Sequence, residues 1–281
     1  MKRYHYYVIA ASVVILFFCS LSHAERQGTE KPHTWLCYYG DTFGFRHYAA
    51  FDLVVFDGRN HPPLKRRNGG SPTYLGYLNL GEIDLVDPLW SRAEGKSYLV
   101  KKNNDWDSWI VDIRDPAWQS LIFDHAIKDI LPRGFDGLFI DTIDSSLSLQ
   151  LDGTEDAVLH IIRKIKETYP GKLLAVNRGL PVLPRIAPFL DFVVVEDLYS
   201  CYSFDERRYM KVTRETRDIL LKQVADGLKV VPDLTVLTID YAGPGQSRLA
   251  EEAIAFSRSR GFVPYVSTYT LDQIFFYTLQ H

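Results

Sequence analysis

Cysteine is scarce in this 281-residue chain, with three in all. Cys19 sits in an apolar N-terminal stretch, which leaves Cys37 and Cys201 for the rest, and two cysteines do not make a disulfide-stapled scaffold. They are expected as separate thiols. Basic charge is not in excess either. A formal net charge of -3 gives no footprint for nucleic acid. Low-complexity tracts, internal repeats and a dividing linker are all missing, so the chain reads as one domain. Its longest apolar run, "YVIAASVVILFFCSL", is short for a membrane span.

That run follows Lys2 and Arg3 and is succeeded by Ser22-His23-Ala24, the pattern of a secretory signal peptide over residues 1–24. A mature domain over residues 25–281 is expected, secreted or periplasmic, touching a membrane only if the leader stays attached.

Several chemistries lack their residues. None of the eight histidines ends a strand-like run, so a zinc hydrolase would have no ligands at the expected place. No serine sits in a G-x-S-x-G elbow. Lys172 begins a strand-like run, the wrong end for a Schiff-base lysine. The "GPG" at 243–245 carries a proline without a donor and reads as a turn, not a phosphate cradle. No cofactor and no metal is expected.

What is present is a strand-like run recurring eight times: 35–41, 51–58, 73–82, 135–144, 172–179, 192–198, 234–242 and 262–269. Runs apolar on both faces suit a parallel sheet covered by helices. Helical stretches are expected at 117–131, 155–169, 205–228 and 247–259. In the second, Val158, Ile161, Ile162 and Ile165 share one face, and Pro170-Gly171 stops it. Asp115 before Pro116 reads as a cap and first-turn pair. Eight such units fit a single-domain α/β fold, a (β/α)8 TIM barrel. An open doubly wound sheet is the alternative, because periodicity does not show closure.

Polar residues gather at the C-terminal ends of these runs: Asp57, Glu82, Asp141, Asn177, Glu196 and Asp240. In "GFDGLFIDTIDS" a bare carboxylate, Asp141, ends a buried strand, which is costly unless something pairs or uses it. Any one of these acids could be a loop cap or half of a salt bridge. Five from separate strands, brought to one barrel rim, would repel each other without a ligand, protons or cations between them. Tyr39, Tyr77, Trp109, Tyr199, Tyr241 and Tyr269 lie on or beside the same ends. Carboxylates for acid–base or nucleophilic work, with aromatic faces for pyranose rings, point to sugar chemistry.

The blocks "YLNLGE", "WDSWIVDIRDPAW", "GFDGLFIDTIDS", "VNRG" and "LTIDYAGP", in this order, resemble the endo-α-1,4-polygalactosaminidase family, glycoside hydrolase family 114 and its relatives. The resemblance runs from about residue 35 to 270. It implies a barrel that hydrolyses α-1,4-linked galactosamine-rich polysaccharide, with Asp141 as nucleophile and Glu196 as acid/base. A relative in that family continues into a deacetylase domain, whereas this sequence ends at His281.

A cationic, partly deacetylated exopolysaccharide of the kind found in biofilms would also account for the surplus acids. The expected substrate contacts are Tyr39, Asp57, Glu82, Trp109, Asp144, Asn177, Asp197, Tyr199, Asp240 and Tyr241. A non-catalytic carbohydrate-binding barrel, and a glycosidase for another polysaccharide, remain as alternatives.

Overall fold

The computed structural model describes residues 31–68 and 70–279. The leader expected at 1–24 lies outside them. Among the described residues, thirteen strands follow in chain order. They are β1 (Trp35–Tyr38), β2 (Leu53–Asp57), β3 (Thr73–Asn79), β4 (Glu82–Asp84), β5 (Leu99–Asn103), β6 (Ser108–Val111) and β7 (Gly137–Asp141). The rest are β8 (Leu173–Asn177), β9 (Phe192–Glu196), β10 (Ser200–Ser203), β11 (Arg208–Lys211), β12 (Thr235–Tyr241) and β13 (Val263–Ser267).

Each of the eight expected runs supplies one strand of a parallel sheet in the order β1-β2-β3-β7-β8-β9-β12-β13. The sheet curls into a nearly closed barrel. Its two outer strands meet through side chains: the Trp35 indole donates to the Val263 carbonyl at 3.0 Å, and its ring meets Tyr265 edge-on at 5.9 Å. Just past β1, the Tyr39 N–H donates to the Leu271 carbonyl at 2.8 Å.

Helices cover the outside because their apolar stripes have nowhere else to go. In the helix Thr154–Thr168, the buried residues are Thr154, Val158, Ile161, Ile162 and Ile165. Each such aliphatic side chain contributes roughly 1.5–3 kcal/mol on burial. Asp115 caps the helical stretch 116–130, accepting from the Ala117 N–H at 2.7 Å. Close packing at the start of β7 requires Gly137, since a Cβ there would lie 2.0 Å from the Leu173 carbonyl oxygen.

Two segments differ from the sequence expectation. The third run does not reach Glu82. It stops at Asn79, whose Oδ1 accepts the Glu82 N–H at 3.0 Å and bends the chain through Gly81. A Cβ on Gly81 would sit 1.9 Å from the Thr142 carbonyl oxygen, so the bend is tight against β7. Glu82 therefore opens β4 and a small antiparallel sheet, β4-β6-β5.

The second difference lies in the stretch 205–228. Its first part belongs to a hairpin, β10–β11, and the helix spans Arg214–Val230, capped by Thr213 accepting from Thr216 N–H at 3.2 Å. A helix is expected over the whole stretch, but tertiary packing wins in its first part. Tyr202 pairs with Tyr209 across the hairpin, and Tyr202 stacks on Tyr269 at 4.0 Å.

Candidate active site

Three neighbouring strands, β7, β8 and β9, end on Asp141, Asn177 and Glu196. Each end is followed at once by a residue in the left-handed region: Thr142 (φ 64), Arg178 (φ 55) and Asp197 (φ 55). Non-glycine residues rarely adopt that backbone, and it persists only where the surroundings enforce it. Thr142 shows how. Its hydroxyl donates to Asn79 Oδ1 and accepts the Gly81 N–H at 2.8 Å, pinning the turn after Asp141 to the turn after β3.

The three end residues are bonded to one another. Asn177 Nδ2 donates to Asp141 Oδ1 at 2.9 Å and to Glu196 Oε2 at 2.7 Å. Asp141 Oδ1 also accepts the Thr142 N–H at 2.8 Å. Tyr241, from β12 beside β9, donates its hydroxyl to Glu196 Oε1 at 2.5 Å. Arg178 pairs with Asp197 at 2.9 Å, and its Nε lies 3.8 Å from Glu196 Oε2.

These residues line a cleft of about 490 Å³ at the C-terminal rim. Asp57, Glu82, Asp84, Asp144 and Asp197 line it as well, against Arg178 as the cation among the lining residues. Aromatic faces come from Tyr39, Tyr77, Trp106, Tyr202, Phe204, Tyr241 and Tyr269. Among the described residues, no group of three or more His, Cys, Asp or Glu is arranged to hold a metal ion.

The electrostatics follow from depth. Burial, and then the charge of Glu196, push Asp141 up to about 6, while donors from Asn177, Thr142 and Tyr77 hold it down. Burial and Glu196 push Asp197 up to about 8, against the pull of Arg178. Asp84 rises to about 6 through burial and the neighbouring Asp87 and Glu82. Burial works against the Arg178 charge, yet Glu196, Asp197 and Asp144 raise its pKa, so the guanidinium stays cationic. Tyr39, Tyr77 and Tyr241 are all pushed well up, first by burial, and so remain neutral hydroxyls.

The cleft gathers Asp141, Glu196, Tyr39, Asp57, Glu82, Asp144, Asn177, Asp197 and Tyr241 from the sequence expectation. Several of these are also tied down locally. Asp57 Oδ1 accepts from the Arg59 and Asn60 N–H groups at 2.8 and 2.6 Å. Asp144 Oδ1 accepts the Gly179 N–H at 2.9 Å. Glu82 is nearly buried and accepts from Asn103, Ser108 and Ser145.

Three expected contacts fall outside the cleft: Trp109, Tyr199 and Asp240. Strand alternation explains the first and last. On β12, Ile239 and Tyr241 line the cleft, so Asp240 points away. There it is fully buried and accepts the Tyr199 and Ser200 N–H groups at 2.5 and 2.8 Å. On β6, Ser108 faces Glu82, so Trp109 takes the other face. Tyr199 packs instead against Phe256 at 5.1 Å, with its hydroxyl on Glu252 at 3.2 Å.

The sequence expectation had no place for Arg178, Asp84, Trp106, Tyr202 or Phe204. Arg178 had a readable signal, standing next to Asn177 in "VNRG". Trp106 had a weaker one, a lone indole in the polar "NDWD" turn. Cys37 and Cys201 are both free.

The model of Glycoside-hydrolase family GH114 matches residues 21–281. The solved glycoside hydrolase domain of PelA from Pseudomonas aeruginosa is 29% identical, with a TM-score of 0.74, over 86% of this chain and 97% of that one. Ega3 from Aspergillus fumigatus, solved in complex with galactosamine, shares the fold at 11% identity, with a TM-score of 0.65 over 88% of this chain and 95% of that one. No curated protein matches the chain.

Proposed function

The chain belongs to glycoside hydrolase family GH114, and from that premise we propose that it cleaves internal α-1,4 bonds of galactosamine-rich polysaccharide by a retaining mechanism. Asp141 attacks the anomeric carbon, and Glu196 gives its proton to the leaving glycosidic oxygen. Glu196 then takes a proton from the water that releases the sugar from Asp141. Atoms and charge balance: one water is consumed, and both carboxyls return to their starting states.

One observation carries the retaining reading. Asn177 Nδ2 touches both carboxyls, at 2.9 and 2.7 Å. Those two bonds laid end to end set the widest gap the two accepting oxygens can have. It falls short of the roughly 6.5–9.5 Å that an inverting enzyme leaves for its water, and suits the roughly 5–5.5 Å of a retaining pair.

Protonation is compatible with these roles. With Asp141 at about 6, its anion is the main form at neutral pH. Two carboxyls this close favour holding one proton between them. The Tyr241 hydroxyl can turn from donor to acceptor when Glu196 carries it.

The substrate class rests on three supports. A protein of the same fold, Ega3, was solved in complex with galactosamine. The cleft lining sets five acids beyond the Asp141–Glu196 pair against Arg178, a lining that suits ammonium groups on the chain. Aromatic faces supply stacking surface for pyranose rings. Export, to the periplasm or beyond, is proposed from the leader pattern at 1–24. Among the described residues, no helix is long and apolar enough to cross a membrane.

The test is reducing-end release from galactosamine-rich, glucosamine-rich and neutral polymers, with Asp141→Asn and Glu196→Gln as controls. Release from the first polymer alone, lost in both variants, is expected. No release from it by the unaltered protein would sink the reading.

A further inference from the structure

Two hairpins rise from the rim and touch. Trp106 stands in the turn 104–107 between β5 and β6, and Phe204 in the turn 204–207 between β10 and β11. Both turns have four residues and close on a left-handed residue, Asp107 and Arg207, each with φ 51. The two rings meet edge-on, centroids 5.3 Å apart and planes at 75°. Trp106 also approaches Tyr269, the second residue past β13, at 6.4 Å.

The contact runs across the rim. The Trp106 hairpin leaves the barrel between β3 and β7, and the Phe204 hairpin between β9 and β12. The ends of β7, β8 and β9, with Asp141, Asn177 and Glu196, lie between the two hairpin roots on one side of the ring. Tyr39 and Asp57 lie on the other side. All of them line one cavity, together with Trp106, Phe204 and Tyr269, so the cavity continues beneath the bridge.

One bank of the bridge is anchored and the other is light. Tyr202 stacks on Tyr269 at 4.0 Å, and the Tyr269 N–H donates to the Tyr209 hydroxyl at 3.4 Å, which fixes the Phe204 side. Trp106 keeps 53% of its surface exposed at the tip of a polar turn, far more than a core indole would.

We propose that Trp106, bridged to Phe204 and Tyr269, determines where along a polysaccharide the enzyme acts. Chain ends and short chains pass beneath the bridge. Internal stretches of a long polymer reach Asp141 and Glu196 only when Trp106 swings off its two aromatic partners. This rests on the galactosamine-polymer reading above. The rival role for Trp106, a stacking platform for sugar rings, makes the opposite forecast: its removal would weaken action on every substrate and most on the longest.

The test compares kcat/KM on a long galactosamine polymer with kcat/KM on a short galactosamine oligosaccharide, for the unaltered protein, Trp106→Ala, Phe204→Ala and Trp106→Tyr. Loss of the ring contacts should raise the long-to-short ratio by roughly two- to tenfold in both alanine variants, the range such aromatic pairs support. Trp106→Tyr, which keeps an aromatic edge, should fall between. An unchanged or lowered ratio in Trp106→Ala, with the unaltered protein active, overturns the bridge and leaves the activity standing. Inactivity of the unaltered protein on both substrates overturns the activity reading, and the bridge with it.

Discussion

The Tyr241 hydroxyl crosses from β12 to donate to Glu196 Oε1 at 2.5 Å. Glu196 is thereby held on one oxygen by a hydroxyl that can reverse its role, and on the other by an amide that cannot. Tyr241→Phe removes the reversible partner and keeps the ring that fills the barrel mouth. A hydrogen bond to a charged group contributes about 1.5–3 kcal/mol, so kcat should fall roughly 10- to 150-fold with KM little changed. Steady-state kinetics check this, and thermal melting within a few degrees of the unaltered protein confirms that the ring still packs.

Asn177→Ala should reshape the pH profile as well as the rate. As the proposed nucleophile, Asp141 must be ionised to attack, so kcat should decline as pH drops through about 6, where Asp141 takes up its proton. The Asn177 donor favours the Asp141 anion. Without it the Asp141 value rises further, and the acid limb should move to higher pH. A pH–rate profile whose acid limb stays put, or moves down, would contradict the role given to Asn177.

The barrel was legible because its strands are apolar on both faces; β1, for instance, is buried along its whole length. The small strands were not. β5 reads "LVKKN" and is largely exposed, held by β6 and not by any pattern of its own. Asp57, Asp141 and Glu196 were legible as strand ends, whereas the facing of Asp240 was not. Whether Asp240 or its neighbour Tyr241 looks into the cleft depends on the phase of one strand, and shifting by one residue exchanges inside for outside. Arg178 and the Trp106–Phe204 contact join segments whose proximity exists only once the barrel has closed.

Binding should be salt-sensitive if the acids read charge on the substrate. An Asp141→Asn protein titrated with a deacetylated galactosamine oligosaccharide should lose affinity as sodium chloride rises from 0.05 to about 0.5 M, since screening shortens the reach of charge. The fully acetylated oligosaccharide should show a much flatter response. Calorimetry measures both, and parallel salt slopes for the two ligands would remove the charge-reading role from Asp57, Glu82, Asp84 and Asp144.

Asp240 offers a test that does not involve substrate. Its side chain is fully buried, Oδ1 accepts two backbone N–H groups, and Oδ2 has no hydrogen-bond partner. Burial pushes it up to about 7, against the pull of those backbone donors. The folded protein therefore keeps a proton that the unfolded chain has already released at an ordinary aspartate value near 3.8. Where the native state binds more protons, stability falls as pH rises. The contribution of Asp240 is thus complete below about 4 and lost as pH climbs to about 7. A displacement of this size corresponds to on the order of 4 kcal/mol, an upper bound before the site relaxes. Asp240→Asn keeps Oδ1 for the two N–H groups and removes the charge. Its melting temperature should match the unaltered protein near pH 4 and exceed it by roughly 5–10 °C near pH 8. Asp84, Asp141, Asp144 and Asp197 also rise on folding and tilt both proteins the same way, so the difference between the two melting curves reports Asp240 together with the part of the Asp197 rise that the Asp240 charge causes. A constant offset across that range would mean that Asp240 is held as an anion at every pH tested, its charge balanced by the backbone donors alone.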